Sequence, residues 1–276
     1  MANRTTELRA PPAGVVDDRI SSVECTRAPV EPRIPFCLYV LYRFVLAAYF
    51  IALLIAYVIL AAKTLGPKFL IYYESWTYTS ATCYVYLALF NAVVDFRKSR
   101  KKNAALEDKF RYQIQWCLFN LTATPSIIVT TFDWGPLYFA NSEKVSLLLY
   151  VSIYLLPNVV CLIEIFLTLI IVRFVHAVYP ALFMIIYLLF ITIYWAAGGT
   201  DPFGNHFTYY LLDFENYPSI AAATVVGITF AVLLVQVILK GLYAFRVRCM
   251  DRRRTEAVRA RRKEEPEAAQ LKAQTE

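Results

Sequence analysis

Three charged residues lie inside long apolar runs, where a charge is expensive and therefore informative: Arg43, Glu74 and Glu164. Arg43 and Glu164 fall at similar depth from the same end of their helices, so they are expected to pair; Arg43 could otherwise snorkel to the interface. Glu74 lies nearer the opposite end, beyond the reach of Arg43. Tyr78, Thr82 and Tyr86 follow it at intervals of four, a polar and aromatic stripe winding slowly round one helix. Gln113, Trp116, Asn120 and Thr124 form a comparable face and lead into Pro125, while Asn158 directly follows Pro157. Prolines that open a helix beside carboxamides can build a midplane site. The same groups can instead bind helix to helix. For each of these residues, packing is the plainer reading and a ligand cavity the sharper one.

Other reactive constellations are missing from the sequence. The two histidines, His176 and His206, stand in no metal-binding spacing, and neither a GxSxG elbow nor a Gly-rich phosphate loop occurs. The six cysteines show no CxxC pair. Neither a metal site nor a cofactor is expected. Cys249, just beyond the last apolar run, is by position a candidate for palmitoylation.

The elements that must position these residues follow from composition. Of 276 residues, 59% are hydrophobic and 18% charged, against about 45–50% and about 25% in a soluble domain. Crossing a bilayer takes about 20 apolar residues in helical form. Six runs qualify, at about 36–62, 69–94, 112–131, 145–172, 174–197 and 219–239. The fourth and fifth are separated only by Arg173, and the run His176 to Pro180 is the expected break in a tight hairpin. The expected fold is an all-α integral membrane protein, a six-helix transmembrane domain over 36–245. It lies between a disordered tail over 1–35 and a basic tail over 246–276.

Net charge is +7, but the positive charge borders the apolar runs instead of decorating a soluble face, so nucleic acid is not an expected partner. With both termini placed in the cytoplasm, the inner side collects 24 Lys and Arg and the outer side three, Lys63, Lys68 and Lys144. That asymmetry assigns the orientation. The clusters at Arg97–Lys102 and after Arg246 would attract anionic cytoplasmic lipids. In the last outer loop, Gly198 and Gly199 allow a sharp helix stop, and Thr200 and Asp201 can bond the turn. Asp201, Asp213 and Glu215 leave this loop acidic, able in principle to hold a cation.

The stretch from the fifth run onward resembles the rolling stone family of membrane proteins. His176-Ala177-Val178-Tyr179-Pro180 is similar to its H-x-x-Y-P, Tyr187-Leu188-Leu189-Phe190 to its Y-x-x-F, and Ala197-Gly198-Gly199-Thr200-Asp201 to its A-G-G-T-D. Gly204 and Tyr209–Phe214 are similar to its following glycine and Y-P-x-L-D-W segment. Leu41-Tyr42-Arg43 resembles its L-Y-R opening, and Glu74-Ser75-Trp76 stands where it has T-N-W. The likeness spans residues 36 to about 240.

The resemblance implies a multi-pass protein, plasma membrane more than endoplasmic reticulum, in a family whose name-giving member is linked to myoblast fusion. A more distant likeness is to the androgen-induced-gene family of intramembrane threonine hydrolases that act on fatty-acid esters. That chemistry needs a threonine and a histidine, for which Thr77 and His206 are the available candidates. Glu74 in place of the pattern's threonine, and Leu155 in place of the histidine of an H-x-x-N, both argue against it. Three functions are therefore carried forward. The first is a non-enzymatic protein of adhesion or fusion acting through membrane-protein partners. The others are an intramembrane protein that binds or hydrolyses lipids, and a small-solute transporter.

Overall fold

A computed structural model describes residues 36–99, 109–133, 147–168, 170 and 172–275. All regular structure among them is helical: α1 (Phe36–Leu65), α2 (Tyr73–Ser99), α3 (Lys109–Asp133), α4 (Leu147–Tyr154), α5 (Leu156–Leu167), α6 (Val178–Ala196) and α7 (Pro218–Thr275), with short 3-10 turns at Gly66–Ile71, Phe174–Ala177 and Tyr210–Leu212. The 1–35 tail, residues 100–108 with part of the basic cluster, and Lys144 lie outside the described residues.

Four segments are long and apolar enough to cross a membrane: Cys37–Ile71, Tyr73–Lys98, Phe174–Ala196 and Pro218–Met250. Their surfaces explain the composition. Leu41, Phe44, Ile55, Ile186, Leu189, Ile193, Phe230 and Leu234 all point outward, while Arg43, Asn120, Glu164 and Gln236 are fully buried. An apolar exterior around an interior that holds these polar groups departs from the arrangement of a soluble domain and suits a lipid surround.

Helix α3 is too polar on average to count among those four, yet it sits centrally and packs against α2, α5, α6 and α7. Its polarity and its position are one fact. Gln115, Asn120, Thr122, Thr124 and Ser126 face neighbouring helices instead of the exterior. Pro125 leaves the Leu121 carbonyl without its donor four residues on, and Ser80 of α2 lies 3.1 Å from that oxygen.

Three expected boundaries move. The run 145–172 is helical only to Leu167 and is broken at Leu155 beside Pro157. The Tyr154 carbonyl left at the break accepts from Thr130 (2.7 Å) and Asn158 (3.1 Å). The hairpin break begins at Thr168, upstream of His176. Thr168 is extended there, and the β-branched residues around it are poor helix formers. Pro180 lies in the first turn of α6, where a missing N–H costs nothing. Finally, α7 continues as one helix from Pro218 through the basic tail to Thr275. The tail's Arg, Lys, Glu and Ala are all strong helix formers.

Candidate functional site

The buried polar residues fall into separate groups. Arg43 on α1 donates to both oxygens of Glu164 on α5 at 2.5 and 2.6 Å, and to the Tyr39 hydroxyl at 3.0 and 2.7 Å. Tyr84 of α2 adds a third donor to Glu164 at 3.1 Å. Two fully buried charges are thus paired and hydrogen-bonded, the condition under which an ion pair is tolerable in an apolar interior. None of these residues lines the cavity beside Glu74.

The carboxamides are likewise engaged across helices. Gln236 of α7 donates to Thr124 (2.8 Å) and Asn120 (3.3 Å) of α3, and Asn120 donates to the Trp116 carbonyl. Asn158 accepts from Ser126 (2.7 Å) and donates to Thr130 (2.6 Å). Nearer the other end of α3, Asn91 donates to Gln115, and Asp95 accepts two bonds from Tyr112 and one from Arg111. Gln113, expected on the buried face, is exposed, and Gln115 takes the interior position. The buried side of α3 runs Tyr112, Gln115, Trp116, Phe119, Asn120, Ala123 and Thr124, the 3–4 spacing of a helix face. On α2, Glu74, Tyr78 and Thr82 are buried but Tyr86 has wound out to the exterior.

Glu74 belongs to a different setting. It sits in the first turn of α2, where the helix N-terminus favours negative charge. The Tyr209 hydroxyl donates to its Oε2 at 2.6 Å and accepts the Tyr73 backbone N–H at 2.8 Å. One phenol therefore satisfies an orphan amide of the helix start and half of a carboxylate. No basic side chain pairs with Glu74 among the described residues. It lines a cavity of about 460 Å³ between the ends of α2, α3, α6 and α7, closed above by the loop 197–217. Ile128, Val129, Met184 and Ile228 supply the apolar walls, and Tyr72, Tyr73, Tyr187 and Tyr209 the aromatic ones.

The loop is a built cap. Gly198 has φ +75, and a Cβ on Gly199 would lie 2.5 Å from the Tyr194 ring. The first glycine permits the left-handed stop, and the second lets Tyr194 pass close enough to donate to the Thr200 carbonyl at 2.8 Å. Lys68 donates to Thr200 Oγ1 (2.8 Å) and the Asp201 carbonyl (3.0 Å), tying the cap to the α1–α2 turn. The carboxylate of Asp201 accepts the backbone N–H groups of Phe203 and Asn205 and the Asn205 amide. Asp213 repeats the device with Glu215 and Asn216. The Asn216 backbone N–H, aided by its side-chain amide, holds the Asp213 carboxyl below the usual Asp range. Asp201 and Asp213 are thus occupied as turn-formers.

Thr77 is buried and His206 exposed, and neither lines the cavity. Cys249 is exposed on α7. Tyr209, Tyr84, Gln236 and Asp95 contribute to these groups without having been singled out. Gln236 was legible as the lone amide of its apolar run. The others needed the fold, because a tyrosine or a run-end aspartate is unremarkable in sequence.

A family model described as Protein rolling stone matches residues 31–260. Protein rolling stone of Drosophila melanogaster is 29% identical over 214 residues, covering 75% of this chain and 77% of that protein. No solved structure matches.

Proposed function

The chain belongs to the rolling stone family, and from that premise we propose a multi-pass plasma-membrane protein that acts by binding, in cell-surface adhesion or fusion. Six spans are proposed, with both termini cytoplasmic. The fourth is assembled from α4 and α5, whose 8 and 12 residues stack to about 30 Å, the thickness of the hydrocarbon core. The third is α3, admitted despite its polarity because its polar groups face other helices.

One observation carries the binding reading. The cap, braced by Lys68, Tyr194 and two aspartate turns, holds Phe203 and Tyr210 at the rim of the cavity with 77% and 61% exposure. Rigid exposed aromatics are the side chains that anchor protein interfaces. The test is mixing of cells that express the chain, normalised to surface delivery. The native chain should raise mixing and a Phe203→Ala/Tyr210→Ala variant should not; equal mixing with and without the protein would overturn the reading.

A second reading, lipid binding, is favoured by the cavity beside Glu74. Hydrolysis has less support, since Thr77 and His206 are apart from that cavity. Transport has less as well, since Asn120 and Glu164 are engaged between helices. On the cytoplasmic side, the basic clusters are proposed to hold anionic lipids, and Cys249 to carry an acyl chain. Salt-sensitive enrichment of anionic lipid around the full chain in nanodiscs tests the first. Acyl labelling lost in Cys249→Ser tests the second.

A further inference from the structure

We propose that the cavity beneath the cap binds a cationic amphiphile, a single-chain organic ammonium whose head pairs with Glu74 and whose chain lies along α3, α6 and α7. The inference rests on the lipid-binding reading above and adds the ligand's chemical class. A volume of about 460 Å³ falls within the range of small-molecule sites, ~300–1,000 Å³. Among the described residues, its lining includes two carboxylates, Glu74 and Asp201, and no Lys, Arg or His. Asp201 is engaged by three N–H donors of its own turn, and Lys68 lies against its backbone carbonyl. Glu74 is the carboxylate left facing the space.

Burial opposes the charged form of Glu74, two features of its setting favour it, and a cationic partner would add the counter-charge. The 2.6 Å bond from Tyr209 has the length of a charge-assisted O–H···O⁻ contact, and the start of α2 supplies the favourable end of a helix dipole. Beyond the Tyr209 hydroxyl and a backbone N–H of its own residue, no side-chain donor meets the Glu74 carboxylate among the described residues, so Oε1 can take a further donor. An anion in an apolar cavity is costly without a counter-charge. A second group is also incomplete: the Tyr73 hydroxyl is buried without a hydrogen-bond partner, and Tyr73 lines the same cavity. An ammonium donates several hydrogen bonds from one centre, enough for Glu74 Oε1 and Tyr73 Oη together. It would also meet the faces of tyrosine rings, which attract cations.

Neighbouring chemistries fit less well. A neutral alcohol could donate to Glu74 but would leave its charge uncompensated. A zwitterionic phospholipid would bring a phosphate to a cavity that offers it two carboxylates and no basic side chain. A short amine would leave the walls formed by Ile128, Val129, Met184 and Ile228 without apolar contact.

The test uses the full chain in nanodiscs, with tetradecylamine, tetradecanol and butylamine as probes. Binding is read as the difference from an Ile228→Trp variant, which fills the cavity and leaves Glu74 in place. Tetradecylamine should bind at least tenfold tighter than tetradecanol, butylamine should show no cavity-dependent binding, and Glu74→Gln should bring the amine down to the alcohol. Equal affinity for the two long chains, or a preference that survives Glu74→Gln, overturns the ammonium assignment and leaves the lipid-binding reading standing. Long-chain binding that is identical in the native chain and Ile228→Trp overturns both. Should Glu74→Gln fail to fold, the native amine-to-alcohol ratio still decides.

Discussion

Arg43 and Glu164 are both fully buried and each is the other's counter-charge, so the pair bears heavily on stability. Removing one partner leaves an uncompensated charge, a loss of about 3–5 kcal/mol. Arg43→Met and Glu164→Leu should each lower stability by that order in denaturant titration in mixed micelles. The double variant should recover much of the loss; a double as damaged as the sum of the singles would show that the pair is not the reason. A smaller effect belongs to Ser80, whose hydroxyl is shared between the Thr77 carbonyl of its own helix at 2.8 Å and the Leu121 carbonyl left open by Pro125 at 3.1 Å. Interhelical bonds of this kind average about 0.6 kcal/mol. Ser80→Ala should cost about that much, and much less in a Pro125→Leu background, where residue 125 regains its own N–H. A cycle with no coupling would remove the explanation.

At the scale of the element, the cap shows how two short turns can fix the loop 197–217. Asp201 and Asp213 each gather three N–H donors, so the backbone of the turn is satisfied without a strand or a long helix. The Asp213 carboxyl is held below its usual range by these bonds. A depressed folded value means that its contribution is complete above the unfolded value, ~3.9, and is lost as pH falls through the folded one. Amide protection at Glu215 and Asn216, corrected for intrinsic exchange, should therefore hold at pH 6 and fall below about pH 4. In Asp213→Asn that acid step should vanish. Protection unchanged down to pH 2 in the native chain would contradict the role assigned to this carboxylate.

The same elements explain which helix occupies the middle. α3 is central because its polar residues find partners only from α2, α5 and α7 at once. A more apolar helix, such as α6, can afford to face lipid on one side. Break positions follow the same local logic. Pro157 opens the α4–α5 joint, whereas Pro180 is harmless in the first turn of α6.

For the molecule as a whole, the proposed topology, drawn from the distribution of 24 Lys and Arg against three, puts the cap and its cavity outside the cell. His206 is exposed in the cap and Cys249 is exposed on α7. In intact cells, a membrane-impermeant thiol reagent should label His206→Cys, and should reach Cys249 only after permeabilisation. The reverse pattern would invert the topology and move the cavity to the cytoplasmic side.

Composition and hydropathy alone determined that the chain is helical and apolar-faced, where its helices approximately lie, and that Arg43, Glu74 and Glu164 matter. These are local properties: an apolar run of a given length, or a charge within it, is visible without knowing its neighbours. The tertiary structure decided what each of those charges meets. Arg43 and Glu164 are 121 positions apart and Glu74 and Tyr209 are 135 apart, so helix packing alone brings them together. It also separated the roles. Two charges close on each other inside the bundle, while the third faces a cavity, because the cap brings Tyr209 and no basic side chain to Glu74.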